Sequence, residues 1–538
     1  MNRTFKNLWK FLSVSLVAVL TLAACGGGAS GGEKVLNLAR SLPTDTLNEV
    51  INEGSNNSAV IGNFSEGLTT YDKTGKLIGG LAESWTNEGP VYTFKLRSGL
   101  KWSNDTPLTA ADFVFGWQTM ASTPGAPYGF FMQEIKNGTE ILDGKKDASE
   151  LGVKAIDDTT LEVTLVKESA YILEMLAHGA FYPLNEAFYT EMGADNYGTS
   201  ADTVIASGAF MLTEYQADLG YTLSKNPNYY NAKEIKLDKV NIRVVRESTT
   251  QGTMYDNGEI DALDLTSDLY DKHKDSADLV EIPNASLFYF YLSGNTKKPS
   301  AELANQNFRT AVTYAIDKTI ITDQIAKNGS IATDYLVPQN FGEVNGKTYR
   351  EFAGTKDLKF SPEKAQEYLA KAKTEIGKDA LTFDISFVES DSNRKIFESV
   401  QSQLETNLPG VKVTLTSVPS NNYFKELAKN ETIAAFSGWS PDYRDIATFY
   451  EIFLSDNSFN YGLYNNPKFD SLFQQAQAEI DPAARWELFK QAEDVIVEDA
   501  AFLPLFQRGK RFVVNPKVEG FNYNSISPEI DYRFISIK

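Results

Sequence analysis

From residue 33 to residue 538 the chain runs without a low-complexity stretch, an obvious repeat or a long apolar run. That length exceeds what one hydrophobic core supports, so the residues must divide among at least two lobes. Strand-like runs rich in β-branched and aromatic residues recur at 91–96, 161–166, 240–245, 287–292, 381–387 and 411–418. Helical patterns lie between them. Ser361-Pro362 supplies an N-cap and first-turn pair ahead of the apolar face Ala365, Tyr368, Leu369 and Ala372. Asp481-Pro482 opens another helix, with the stripe Leu488, Phe489, Ala492, Val495 and Ile496. Strands and helices interleaved over this length predict α/β lobes.

The N-terminus reads differently. Arg3, Lys6 and Lys10 precede an apolar run from Phe11 to Ala24. The run is shorter than the roughly 20 residues a membrane span needs, and has the length of a signal-peptide core. Residues 1–24 are therefore expected to be a leader. The run ends in Leu22-Ala23-Ala24-Cys25, which resembles a bacterial lipobox. The resemblance implies that the Cys25 thiol accepts a diacylglycerol group, and acyl chains at about 0.8 kcal/mol per buried CH₂ anchor a protein stably. Gly26 to Gly32 then reads as a flexible tether, with an r.m.s. reach of roughly 15 Å.

The formal charge is −20, and loss of Arg3, Lys6 and Lys10 with the leader takes it to −23. Such acidity argues against nucleic acid and against lying flat on an anionic bilayer. Cys25 is the only cysteine, so one chain offers no disulfide and no thiolate metal site. His178 and His273 are the only histidines. The one Gly-x-Ser-x-Gly string, Gly28 to Gly32, belongs to the Gly/Ser tether and makes no strand-to-helix elbow; no His-Glu-x-x-His and no Walker-type loop is present. No catalytic residue, metal or cofactor is expected. The carboxylate pair Asp261 and Asp264, in Gly258 to Asp264, reads as a solvated turn.

Six blocks occur in order along the chain. They are Glu66-Gly67-Leu68 with Gly80-Leu81-Ala82-Glu83-Ser84-Trp85; Tyr92 to Arg97 running into Lys101-Trp102-Ser103-Asn104-Asp105 and Pro107 to Val114; Leu151 to Ala155; Asn226-Pro227-Asn228-Tyr229-Tyr230; Ala315-Ile316-Asp317-Lys318; and Gly438-Trp439-Ser440-Pro441-Asp442-Tyr443. From about Leu36 to the C-terminus the chain thereby resembles the extracellular solute-binding proteins of bacterial peptide importers. The resemblance implies a two-lobed periplasmic-binding-protein-like α/β fold with a hinge and an extra subdomain on lobe I. Lobe I would comprise 33–65, 186–287 and 506–538, the subdomain 66–185 and lobe II 288–505. It also implies a monomer that takes short peptides and delivers them to separate permease and ATPase chains. The membrane would be met only through the lipid anchor, on the outer face of a Gram-positive cell.

A receptor tolerant of peptide sequence must read the ammonium, the carboxylate and the backbone. The resemblance assigns the ammonium to Asp442; residue type alone reads it as a turn aspartate beside Pro441. It assigns the carboxylate to Arg394, which equally reads as a solvated arginine at a helix start. Gly438 and Ser440 would pair with the ligand backbone, Trp439 and Tyr128 would wall the pocket, and Ser55 would contribute from lobe I. Some relatives carry an arginine where this chain has Phe436, and a ligand-facing tryptophan where it has Asn422, so ligand length and pocket shape stay open. A receptor of the same fold for a nickel complex, haem or a sugar is the alternative class. A peptidase or an adhesin stands further off.

Overall fold

The structure, a computed structural model, describes residues 32–292 and 296–538; the expected leader, Cys25 and nearly all of the tether lie outside the described residues. Three larger sheets carry the architecture. In the first, β1 (Val35–Arg40) pairs in parallel with β8 (Lys239–Val244), and β7 (Gly220–Lys225) and β6 (Phe210–Gln216) continue antiparallel. Val35 thus meets Lys239, and the chain between them holds an excursion with its own sheet. That second sheet is antiparallel, in the order β2 (Ala82–Glu88), β3 (Val91–Leu96), β5 (Thr160–Thr164) and β4 (Val153–Asp157). Strand β5 stops at Thr164, two residues short of the sequence expectation.

The third sheet has the order β9 (Ala262–Asp264), β14 (Phe502–Val514), β10 (Leu279–Tyr291), β13 (Ala434–Trp439), β11 (Leu381–Val388) and β12 (Val411–Val418). Strands β10 and β14 are each 13 residues long and pair antiparallel along most of that length. At about 3.3 Å per residue each spans roughly 43 Å, well beyond an ordinary strand. One end of this ribbon holds β9. The other holds β13 and the parallel pair β11 and β12, covered by α1 (Gln306–Tyr314), α2 (Pro362–Ile376) and α3 (Asp391–Asn407). The ribbon is buried on both faces. Phe290, Phe436 and Phe506 join the core beneath these helices, while Leu287, Tyr289, Tyr291 and Trp439 join the core that continues into the excursion.

The pairing slips midway. Pro283 faces Gly509 and Leu287 faces Gln507, so Asn284, Ala285 and Ser286 lie opposite Arg508 alone. Side chains satisfy the displaced backbone: Gln507 Nε2 donates to the Asn284 carbonyl (2.8 Å), Ala285 N–H donates to Ser525 Oγ (2.6 Å), and Ser286 N–H donates to Asn284 Oδ1 (2.7 Å).

The helix starts lie where the sequence predicts them. Ser361 accepts from Lys364 N–H at 3.3 Å and Asp481 accepts from Ala484 N–H at 2.8 Å, each with proline in the first turn. The expected solvated turn at Asp261 and Asp264 is corrected. Ile260, Leu263 and Leu265 bury against Met254, Leu269 and Val513, which draws the segment into β9. Asp261 is 1% exposed, accepts from Asn37 N–H (2.8 Å) and pairs with Lys517 (2.7 Å); Asp264 pairs with Lys510.

Candidate functional site

Strand β13 ends at Trp439, and Ser440-Pro441 lead the chain out of the sheet to Asp442. Thr448, at the start of the short helix Thr448–Glu451, fixes this exit. Its Oγ1 accepts from Trp439 Nε1 (3.1 Å) and from Asp442 N–H (3.2 Å). The Asp442 side chain is only 10% exposed. Tyr128 OH donates to its Oδ1 at 3.3 Å, and His178 Nε2 stands 3.8 Å from the same oxygen. His178 Nδ1 accepts from Ala180 N–H (3.1 Å), so the neutral ring carries its proton on Nε2, the side facing Asp442.

Burial decides the charges. It pushes the His178 imidazolium down to about 3, so the ring is neutral and provides no counter-charge. It pushes the Asp442 carboxyl up to about 8, against a hydrogen bond from Tyr128 that works the other way. Asp442 Oδ2 is buried without any hydrogen bond. Such an oxygen must either carry a proton or receive a cationic donor. A second acid lies behind it. Glu451 accepts from Tyr443 OH at 2.9 Å, its Oε1 has no partner, and burial followed by the Asp442 charge raises its pKa well above the ordinary range.

Aromatic rings close the surroundings. Tyr128 packs on His178 (centroids 4.5 Å apart), Phe131 (5.5 Å) and Phe459 (5.7 Å), and Trp439 meets Phe459 edge to face at 4.9 Å. Low polarity around the carboxylate is what makes its unmet oxygen costly.

The third feature is a free strand edge. Strand β11 pairs with β13 only at Ala434 and Ala435, while β10 pairs with it from Ala435 to Trp439. The Tyr423 hydroxyl bonds both the Ser386 carbonyl of β11 and the Phe436 carbonyl of β13 where the two strands diverge. Beyond that wedge no strand among the described residues covers the β11 side of Phe436–Trp439, and Ser437, Gly438 and Ser440 are half-buried. An extended chain can pair there. Gly438 is needed for packing, since a Cβ would lie 2.7 Å from the Phe288 ring opposite it. Ser440 Oγ is hydrogen-bonded to Ser286 Oγ at 2.6 Å.

The structure therefore brings Asp442, Tyr128, Trp439, Gly438 and Ser440 together. It leaves Arg394 exposed in the first turn of α3, without a side-chain hydrogen bond or ion pair among the described residues, and Ser55 exposed at the start of the helix Ser55–Phe64. His178, Thr448, Phe459 and Glu451 were not anticipated. Scarcity was the one available signal for His178; the others depend on contacts from segments distant in sequence.

A cavity of about 310 Å³ lies elsewhere, lined by Glu66, Tyr71, Tyr182, Arg444, Asp531 and Arg533 among others, and by none of the expected site residues. Its charges are largely met internally: Arg533 bonds Glu66 (2.7 Å) and Asp531 (2.6 Å). A smaller void of about 10 Å³, one water in size, shares Tyr182 with it and reaches Tyr128 and His178.

A long two-strand ribbon joining sheet systems, with a buried carboxylate and a free strand edge at their junction, defines a two-lobed α/β receptor for a small solute. The chain belongs to the bacterial extracellular solute-binding proteins, family 5, whose model matches residues 76–461. It is 29% identical to the dipeptide-binding protein of Lactococcus lactis over 98% of this chain and 99% of that one. It superposes on Listeria monocytogenes OppA bound to peptide with a TM-score of 0.86, at 32% identity, over 94% of this chain and 100% of that one. Against the murein tripeptide binding protein MppA of Escherichia coli the TM-score is 0.83, covering 94% and 99%; against MppA in its unliganded open form it is 0.68, covering 94% and 98%. Identity is 25% in both comparisons.

Proposed function

We propose that this protein is the substrate-binding component of an ABC peptide importer, capturing short peptides between its lobes and passing them to separate permease and ATPase chains. One observation carries the reading: a nearly buried carboxylate with an oxygen that has no partner, at the end of a free strand edge. An ammonium placed on Asp442 Oδ2 supplies the missing charge and donor, and a charge-assisted bond of this kind contributes about 1.5–3 kcal/mol net. The ligand backbone then pairs along Ser437 to Ser440. Tyr128 and Trp439 wall the first residue, and Arg394 is a candidate for the carboxylate once the ligand extends that far.

Lobe I then comprises 33–65, 186–287 and 506–538, the subdomain 66–185 and lobe II 288–505, with the ribbon of β10 and β14 as the hinge. The chain works as a monomer and as a receptor, not an enzyme. Among the described residues no helix is long and apolar enough to cross a membrane. Attachment to the outer face of a Gram-positive membrane is assigned to lipidated Cys25, and intact-mass measurement of the mature chain should find a diacylglycerol adduct there and on no other residue.

Titration calorimetry with paired free and N-acetylated peptides tests the central claim. Acetylation removes the cation, so acetylated peptides should bind at least tenfold more weakly; equal affinity would reject Asp442 as the ammonium site.

A further inference from the structure

We propose that Arg508 is a second charge-reading residue of this site, one that recognises a carboxylate on the bound peptide. The inference rests on the peptide reading above and adds a position that the resemblance did not supply.

Within β14 only Arg508 and Arg511 escape full burial. Arg511 is accounted for, bonding Glu281 (2.6 Å) and the Lys327 carbonyl (3.0 Å). Arg508 has no hydrogen bond and no ion pair among the described residues. Its guanidinium carbon lies 5.8 Å from the centroid of the Phe288 ring. The register places that ring against Gly438, on the sheet face opposite Trp439. Phe288 faces Gly438 on one side and Phe506 on the other, so with a period of two Gly438, Phe288, Phe506 and Arg508 share one sheet face. Gly438, Phe288 and Arg508 are also half-buried, as is Ser440 just beyond the end of β13. Gly438, Phe288 and Arg508 thus follow one another across one sheet face, from β13 over β10 to β14.

The charges nearby do not balance. Arg40 is met by Glu529 (2.7 Å) and Lys510 by Asp264, while the Tyr523 hydroxyl also bonds Glu529 (3.0 Å). Asp264 and Glu529 are the acids whose charges reach Arg508, and both are already engaged. Three cations therefore stand against two anions, and the fork of Arg508 is the one without an acceptor. Strand β14 lies two strand spacings from β13, roughly 10 Å. A long side chain from each direction spans that gap. A guanidinium held over an aromatic ring, with its donors free, suits a planar carboxylate. The carboxylate is the peptide C-terminus or an acidic side chain.

The test uses three tetrapeptides of common sequence: a neutral C-terminal amide, the corresponding free acid, and the amide with one glutamate. Each is titrated into the wild type, Arg508→Gln, Arg508→Lys and Asp442→Asn. Arg508→Gln should weaken the free acid or the glutamate peptide roughly 10- to 100-fold, the range for a lost charged hydrogen bond. The neutral amide should stay within about threefold, which also shows that the variant is folded. Whichever anionic peptide is weakened names the source of the carboxylate. Arg508→Lys keeps the charge and loses the fork, and should fall between the two; it carries the test alone if Arg508→Gln does not fold. Equal weakening of all three peptides, or none, would overturn the assignment. Failure of Asp442→Asn to weaken any peptide would instead count against the peptide-terminus reading itself.

Discussion

An ionised Asp442 in this setting has one oxygen facing Tyr128 and a neutral His178, and the other facing no donor at all. The arrangement favours a guest and penalises vacancy. An ordinary aspartyl group loses its proton near 3.8, whereas here burial holds it to about 8. Between those values the ligand-free folded form keeps a proton that the unfolded chain has lost, so its stability falls as pH rises. Asp442→Asn removes this contribution. Its melting temperature should exceed that of the wild type at pH 8, with the gap closing toward pH 4, in calorimetric scans without ligand. The same substitution should cost roughly 2–5 kcal/mol of peptide affinity. For the wild type, affinity should rise from pH 5 to about pH 8, where ionising Asp442 no longer requires expelling a proton, and then decline as the peptide α-amino group, with a pKa near ~7.8, loses its own. A titration series across that range checks the bell shape. Asp442 was legible because a six-residue motif surrounds it. Its protonation was not, since Tyr128 and His178 come from a segment some 300 residues away, a separation no local pattern records.

At the scale of elements, most strands and both proline-led helices could be read from period and capping chemistry, because those signals are local. The free edge of β13 could not. It depends on where β11 stops pairing and on Tyr423 bonding the two diverging carbonyls. The same limit explains Asp261: the apolar residues around it outweigh its turn chemistry only once β9 has a neighbour to join. Strand β13 also sets a packing demand. Gly438→Ala would push a methyl against the Phe288 ring, and overpacking of this kind costs about 1–3 kcal/mol. Urea unfolding should show that loss. Phe288→Ala in the same chain should recover part of it, giving a coupling term in the double-mutant cycle.

At the scale of the whole molecule, contacts outside the candidate site join the excursion between β1 and β8 to the segment proposed as lobe II. Gln477 Nε2 donates to Tyr171 OH (2.9 Å) and to Glu134 Oε1 (3.1 Å), and Lys167 donates back to Gln477 Oε1 (3.3 Å). The Tyr171 and Tyr443 rings stack 5.5 Å apart, and Arg444 lies over Tyr71 at 5.1 Å. Gln477→Ala removes three of these hydrogen bonds at once. At about 1 kcal/mol each, its ligand-free form should shift toward the open arrangement, with a larger radius of gyration in solution scattering. Peptide affinity should fall several-fold although no ligand contact is altered. Unchanged scattering and affinity would show these bonds to be incidental.

The slip in register between β10 and β14 bears on how a load is released. Asn284, Ala285 and Ser286 already bond the side chains of Gln507, Ser525 and Asn284 instead of the backbone of the opposite strand. With the ribbon as the proposed hinge, flexure concentrated there would bend it as a leaf spring bends, and would leave the regular ladders on either side intact. Under the proposed function, release of the peptide would then call for no local melting of secondary structure, and repeated loading would not expose the interior to proteases.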